Sequence, residues 1–212
     1  MNKINWLVLG AAAVILSSCG GSTEPEEEKV EEKVIKECYY TYNPANSKMT
    51  WTAYKFTEKT PVSGTFNEVN IEGAEVLNDP IALLEGLSFS IPIATINTQN
   101  PERDEKIKNS FFGVLENTSV LTGKVQSLKD DGKAEVVMTI NNREKVVEGT
   151  YTLVEGDFKF MATVDLAAFE ALNGVEELNK ICHDLHIGAD GVSKLWEVID
   201  VSFETKLNMD CN

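Results

Sequence analysis

Basic residues are scarce in this 212-residue chain: 19 Lys and Arg stand against 34 Asp and Glu, a formal charge of −15. A protein that holds nucleic acid by neutralising phosphates carries the opposite balance, so DNA and RNA are excluded as expected partners. Long apolar runs are also missing. Only one stretch, Trp6 to Leu16, is continuously apolar, and it is too short for a comfortable membrane span, so a polytopic membrane protein is excluded. Histidine is nearly absent, with two residues, both in one short segment. No Gly-x-Ser-x-Gly, no Gly-rich phosphate loop and no His-Glu-x-x-His occurs, so no enzyme signature is present and no catalytic residue is assigned. What remains is an apolar share of 42%, ordinary for a globular protein and enough to bury a core.

The chain divides into three segments. Lys3 followed by the apolar run and Leu16-Ser17-Ser18-Cys19 reads as an export signal over residues 1–18. The Leu-Ser-Ser-Cys ending resembles the lipobox of bacterial lipoproteins, which implies cleavage before Cys19 and acylation of that residue. Several chains would then hold the protein to a bilayer, where one alone binds marginally. Residues 19–37 follow as an acidic tether with too little apolar surface to pack. The folded domain is expected over 38–212.

Within it, a period of two dominates. Ala134, Val136, Met138 and Ile140 alternate with Glu135, Val137 and Thr139, and Leu87, Phe89, Ile91 and Ile93 form a similar row. Asp131-Gly132, Asn141-Asn142 and Glu155-Gly156 each lie between such runs, as tight hairpins require, giving a four-stranded meander over 119–165. Strands at 48–56, 62–72, 87–94 and 196–207 bring the total to about eight. Asn100 before Pro101 predicts a short helix over 101–110, and 166–181 has helical composition interrupted by Gly174. The fold expected is all-β: a closed, eight-stranded antiparallel barrel with one or two short helices, because closure removes sheet edges. Such a barrel is either filled by side chains or left open for one small ligand.

The segment 93–115 resembles the signature of the YceI-like family in Thr95, Ile96, Asn97, Thr98, in the Arg103-Asp104 pair opening a helix, and in Phe111-Phe112. Residues 51–71, with Gly64 and Phe66, resemble that family's first hairpin, and 194–207 its closing strand. Lys55 and Lys59 stand where the family often has a His. The resemblance implies a lipocalin-like, extended barrel, exported to the cell envelope, whose apolar interior binds an isoprenoid or other amphiphilic lipid without catalysis or cofactor. On that reading Trp51, Phe66, Phe89, Ile91, Ile93, Met138, Ile140, Phe158, Phe160, Val201 and Phe203 line the ligand tunnel; otherwise they are barrel core. Arg103 and Asp104 read as first-turn residues with a structural role. An envelope stress or interaction protein with a packed barrel is the alternative.

In a closed antiparallel barrel the first strand begins beside the end of the last. A Cys38–Cys211 disulfide is therefore expected, with Cys182 as the rival partner. Cys182, His183 and His186 suggest a metal site by residue type. Three candidate ligands within five residues seldom close a tetrahedral site alone, and no distant His remains, so the cluster is read as structural and no metal is assigned.

Overall fold

The computed structural model describes residues 37–212, so the expectations on the signal, on Cys19 and on nearly all of the tether lie outside the described residues. The meander forms as its turn residues dictate. Strands β7 (Val120–Leu128), β8 (Lys133–Ile140), β9 (Arg143–Val154) and β10 (Asp157–Asp165) pair in antiparallel succession. Asn141, Asn142 and Glu155 hold positive φ, as do Gly132 and Gly156, the geometry that tight hairpins require. Strand β11 (Leu195–Lys206) adds to β10, and β2 (Lys48–Lys55) adds to β11.

Two expected long strands are bent, and their bends complete the ring. The run 62–72 is broken into β3 (Thr60–Phe66) and β4 (Asn70–Glu72). Its partner becomes β5 (Ser88–Pro92), a tight turn at Ile93–Thr95, and β6 (Ile96–Asn97). One arm pairs Phe66 with Ile96 and the other Ile71 with Phe89, so the register slips by two residues between them. Ten strand segments thus share one curled sheet in the order β4-β5-β7-β8-β9-β10-β11-β2-β3-β6. Since β4 continues β3 and β6 continues β5, its two ends belong to one paired ribbon and the sheet returns on itself. Eight bent strands and ten segments describe the same barrel.

Three helices and a small second sheet cap it. Helix α1 (Pro80–Glu85), not expected from the sequence, is capped by Asp79 and buries Leu83 and Leu84 at one end of the barrel. Helix α2 (Pro101–Lys106) starts at Asn100, whose side chain accepts from Arg103 N, and runs into a wider π turn over Ile107–Phe111. Helix α3 is shorter than expected, Leu172–Ile181, because 166–170 are turns and Glu170 adopts positive φ. Gly174 does not interrupt it: a Cβ there would sit 2.9 Å from the Phe111 ring and from its carbonyl oxygen, so the glycine lets α3 approach the π turn. Both α2 and α3 lie at the end opposite α1.

Strands β1 (Cys38–Thr41) and β12 (Asn208–Cys211), also unexpected, form a separate two-stranded sheet beside α1. Cys38 and Cys211 are register partners and are disulfide-bonded, and Cys182 is a free, buried thiol.

Candidate functional site: an apolar interior with a charged mouth

The inward face of the strands is apolar from end to end. It encloses two voids that share Met49, Ile91, Met138 and Val201 as a neck. The upper one, about 110 Å³, lies under α2 and α3 and is closed by Ile107, Phe111, Phe112, Val175 and Leu178. The lower one, about 60 Å³, lies over α1 and is closed by Leu84 and Leu87.

Of the residues the sequence singled out, Trp51, Phe66 and Ile140 line the upper void, and Phe89, Phe158, Phe160 and Phe203 the lower. Ile91, Met138 and Val201 line both. Ile93 lines neither; it sits in the turn between β5 and β6 and is buried in the core. The residues that close both ends escape the strand periodicity. Val175 and Leu178 are spaced i, i+3 on α3, the one signal that points to them. The ends otherwise depend on how helices lie across the barrel, which no local spacing reveals.

Three of the lining aromatics lie over glycines of neighbouring strands. Trp51 faces Gly64 and Phe89 faces Gly123 as direct register partners, and Phe160 lies diagonally across from Gly149. A Cβ at these glycines would come within 2.4, 2.2 and 2.6 Å of the respective rings. Each ring occupies the space that a Cβ would take on its glycine.

Beyond the upper void is a vestibule of about 390 Å³ that shares with it Trp51, Ala53, Ile107, Leu178 and Leu195. Its wall is charged: Lys55 from β2, and Glu102, Arg103 and Lys106 from α2. Lys106 Nζ lies 2.6 Å from Glu102 Oε1, and that pairing raises the Lys106 pKa and lowers the Glu102 pKa. Lys55 Nζ donates to Leu185 O at 3.2 Å. Arg103 makes no ion pair among the described residues. Its neighbour Asp104 is a clamp, with Oδ1 accepting from Thr98 N at 2.8 Å and Thr98 Oγ1 at 2.6 Å.

Cys182 and His186 line the same vestibule, but His183 does not. His183 Nδ1 meets Asp184 at 3.1 Å on the surface, and His186 Nδ1 meets Asn179 Oδ1 at 2.8 Å. The end of α3 therefore fans the cluster apart, and no group of three metal-ligating side chains converges among the described residues. Burial raises the Cys182 thiol pKa, and burial followed by the charge of Lys55 lowers the His186 pKa, so the imidazole is neutral at pH 7.

The architecture recurs in solved structures. The BcnA protein of Burkholderia cenocepacia superposes with a TM-score of 0.51 at 15% identity, over 80% of this chain and 99% of that one. A polyisoprenoid-binding domain from Saccharophagus degradans, implicated in plant cell wall breakdown, superposes with a TM-score of 0.56 at 14% identity, over 81% of this chain and 98% of that one. At such identities the likeness speaks for the fold. No curated protein matches the sequence. A family model does, over residues 40–207, which takes in the whole barrel and both ends of its cavity, and the chain belongs to the family of the YceI-like domain.

Proposed function

We propose that this protein binds an isoprenoid-like or other amphiphilic lipid inside its barrel, as a non-catalytic carrier or sequestering protein held to the cell envelope through acylated Cys19. The observation that carries the reading is the apolar interior, which continues from α1 to the vestibule through both voids. The polyisoprenoid-binding domain from Saccharophagus degradans, of the same fold, supports it. The Leu-Ser-Ser-Cys ending supports the anchor.

Magnitudes set the size of the ligand. A five-carbon isoprene unit removed from water contributes about 4 kcal/mol, at roughly 0.8 kcal/mol per methylene. Association costs at least about 4 kcal/mol, so one unit does not hold. Two or more units must enter, and a tail of that length needs both voids and passage through the neck. Met49 and Met138 stand there, and unbranched thioether chains re-pack readily. The modest size of the voids is the observation that favours the second reading, a packed barrel acting as an envelope interaction protein.

The test is extraction of the purified full-length chain with organic solvent, followed by mass spectrometry. A stoichiometric apolar lipid is expected. An extract without one, from a protein that also binds no isoprenoid in equilibrium dialysis, would select the packed barrel. Replacement of Cys19 by Ala is expected to abolish fatty-acid labelling and release the protein from membranes.

A further inference from the structure

Outside the vestibule two loops meet and form a lip. The segment 183–194, between α3 and β11, folds onto the turn that joins β2 to β3. Phe56 N donates to Lys194 O at 2.9 Å, and Thr57 Oγ1 donates to Asp190 Oδ2 at 2.7 Å. Within the segment, Ile187 bridges Ser193 and Gly188 N donates to Val192 O at 3.0 Å. The backbone is thus held, and it turns large aliphatic side chains to the outside: Leu185 is 59% exposed, Val192 47% and Ile187 38%. Leu185 also lines the vestibule, so the apolar lip is continuous with the entrance to the cavity.

The residues beside these three have a shared character. Trp196 is half-buried, with its Nε1 donating to Phe56 O at 2.7 Å. Lys59 Nζ and Lys194 Nζ stand 4.3 and 4.8 Å from its ring, and Lys55 Nζ stands 4.4 Å from the ring of Phe56. Tryptophan with a bonded polar edge, lysines with apolar stems and protruding aliphatic groups are the side chains that settle at the boundary of a bilayer. Charge marks the same place. The 27 acidic and 15 basic residues of 38–212 leave that domain at −12. Over 55–59 and 183–194, Lys55, Lys59 and Lys194 balance Glu58, Asp184 and Asp190, so the lip is neutral. It can approach an anionic surface that repels the rest of the domain.

We infer that the lip docks on a bilayer surface, with Leu185, Ile187 and Val192 entering the boundary between head groups and acyl chains, so that the vestibule opens onto the membrane itself. The inference rests on the reading of the barrel as a lipid binder and names the partner from which its ligand comes. A tail that crossed water on its way to the cavity would expose its whole apolar length. A mouth seated on the bilayer passes the tail from one apolar medium to another. Three partly exposed side chains make that contact weak, which lets a loaded carrier leave again.

Hydrogen exchange of the full-length chain, with and without phosphatidylcholine vesicles, tests it. Slower exchange is expected over 185–194 and 55–60, and no change over 73–79, which lead into α1 at the other end. Ile187→Asn with Val192→Asn alters the lip outside the cavity wall. That variant is expected to bind geranylgeraniol as the wild type does in equilibrium dialysis, and to take it up from the vesicles about tenfold more slowly. Should the variant fail to fold, the exchange pattern of the wild type decides. Uptake at equal rates by both proteins, or protection that spares the lip, overturns the inference and leaves the lipid-binding reading intact. Protection of the lip that needs no vesicles and grows with protein concentration assigns it to a second copy of the chain, and overturns the inference as well. No binding of geranylgeraniol in dialysis overturns both.

Discussion

Removing the disulfide, by Cys38→Ser with Cys211→Ser, is expected to lower stability by about 2–5 kcal/mol. The bond closes a loop of 173 residues, nearly the whole described chain. On the chain-entropy account a loop of that length restricts the unfolded ensemble by about 5 kcal/mol at 25 °C, and measured cases fall nearer 2–4 because unfolded chains retain structure. Little in the folded state makes up the loss, because β1 and β12 pair through only four residues each and stand outside the barrel sheet. At about 2–4 °C per kcal/mol for a domain of this size, the midpoint of thermal unfolding should fall by roughly 4–20 °C. Urea unfolding followed by tryptophan fluorescence measures it, with Cys182→Ser as the background so that no thiol is left to exchange. Reduction of the wild type should reproduce the double variant. A midpoint within about 0.5 kcal/mol of the wild type would refute the entropic reasoning and show that the termini are held by β1 and β12 themselves.

Replacing Asp104 by Ala strands Thr98 N and leaves the Thr98 hydroxyl only Asn100 O at 3.3 Å, and should cost about 1–3 kcal/mol in urea unfolding. Asp200 accepts from Thr163 Oγ1 and from the Tyr54 hydroxyl, which together hold its pKa below the ordinary carboxylate value. Its contribution is therefore present above about pH 4 and lost as pH falls through the folded-state pKa, so Asp200→Asn should flatten the acid limb of stability against pH; an unchanged limb would remove the assignment. Met138→Ala opens the neck between the voids, and should cost about 2–5 kcal/mol while raising the longest isoprenoid chain retained in dialysis. Gly123→Ala would place a Cβ 2.5 Å from Val137 O, a backbone atom that cannot swing aside, and should cost about 1–3 kcal/mol by thermal melting.

The elements of the fold legible in the sequence were those with local causes. The Asn141-Asn142 and Glu155-Gly156 turns admit few geometries, and the alternation of β8 leaves one face for the core. Asn100-Pro101 likewise announced α2. Helix α1 carried the same cues, Asp79 before Pro80 and Gly86 behind, but six residues show no helical period, and the four-residue strands β1 and β12 show no alternation either. The bends in β3–β4 and β5–β6 came from a slip in pairing, which only the partner strand reveals. The candidate site divides the same way. Its wall follows from strand periodicity, whereas the vestibule joins Lys55, Arg103 and His186 from three separate segments. Cys182, His183 and His186 suggested a metal by residue type alone, their close spacing arguing against one, and where α3 ends His183 turns to Asp184 and His186 to Asn179.

Whether a barrel of this size is hollow or filled depends on where its large side chains lie, and the total apolar content does not decide it. Phe, Trp and Met are numerous enough here to fill the interior if their rings stood inward. Three of the rings, of Trp51, Phe89 and Phe160, occupy the space that a Cβ would take on Gly64, Gly123 and Gly149. Glycine inside a strand is ordinarily unfavourable by about 0.5–1 kcal/mol relative to alanine, through backbone freedom lost on folding. Three such positions in β3, β7 and β9 are a standing cost to the fold; at Gly64 a Cβ would meet only side-chain atoms, whereas at Gly123 and Gly149 it would also lie 2.5 Å from a backbone oxygen, of Val137 and of Met161. What the glycines provide in return is room for three rings that line the voids, Trp51 the upper one and Phe89 and Phe160 the lower. The ring that Gly64 accommodates also carries the one buried side-chain donor without a partner among the described residues. On the proposed reading, stability given up at the glycines is recovered when a lipid tail fills the voids, which ties the hollowness of the barrel to what enters it.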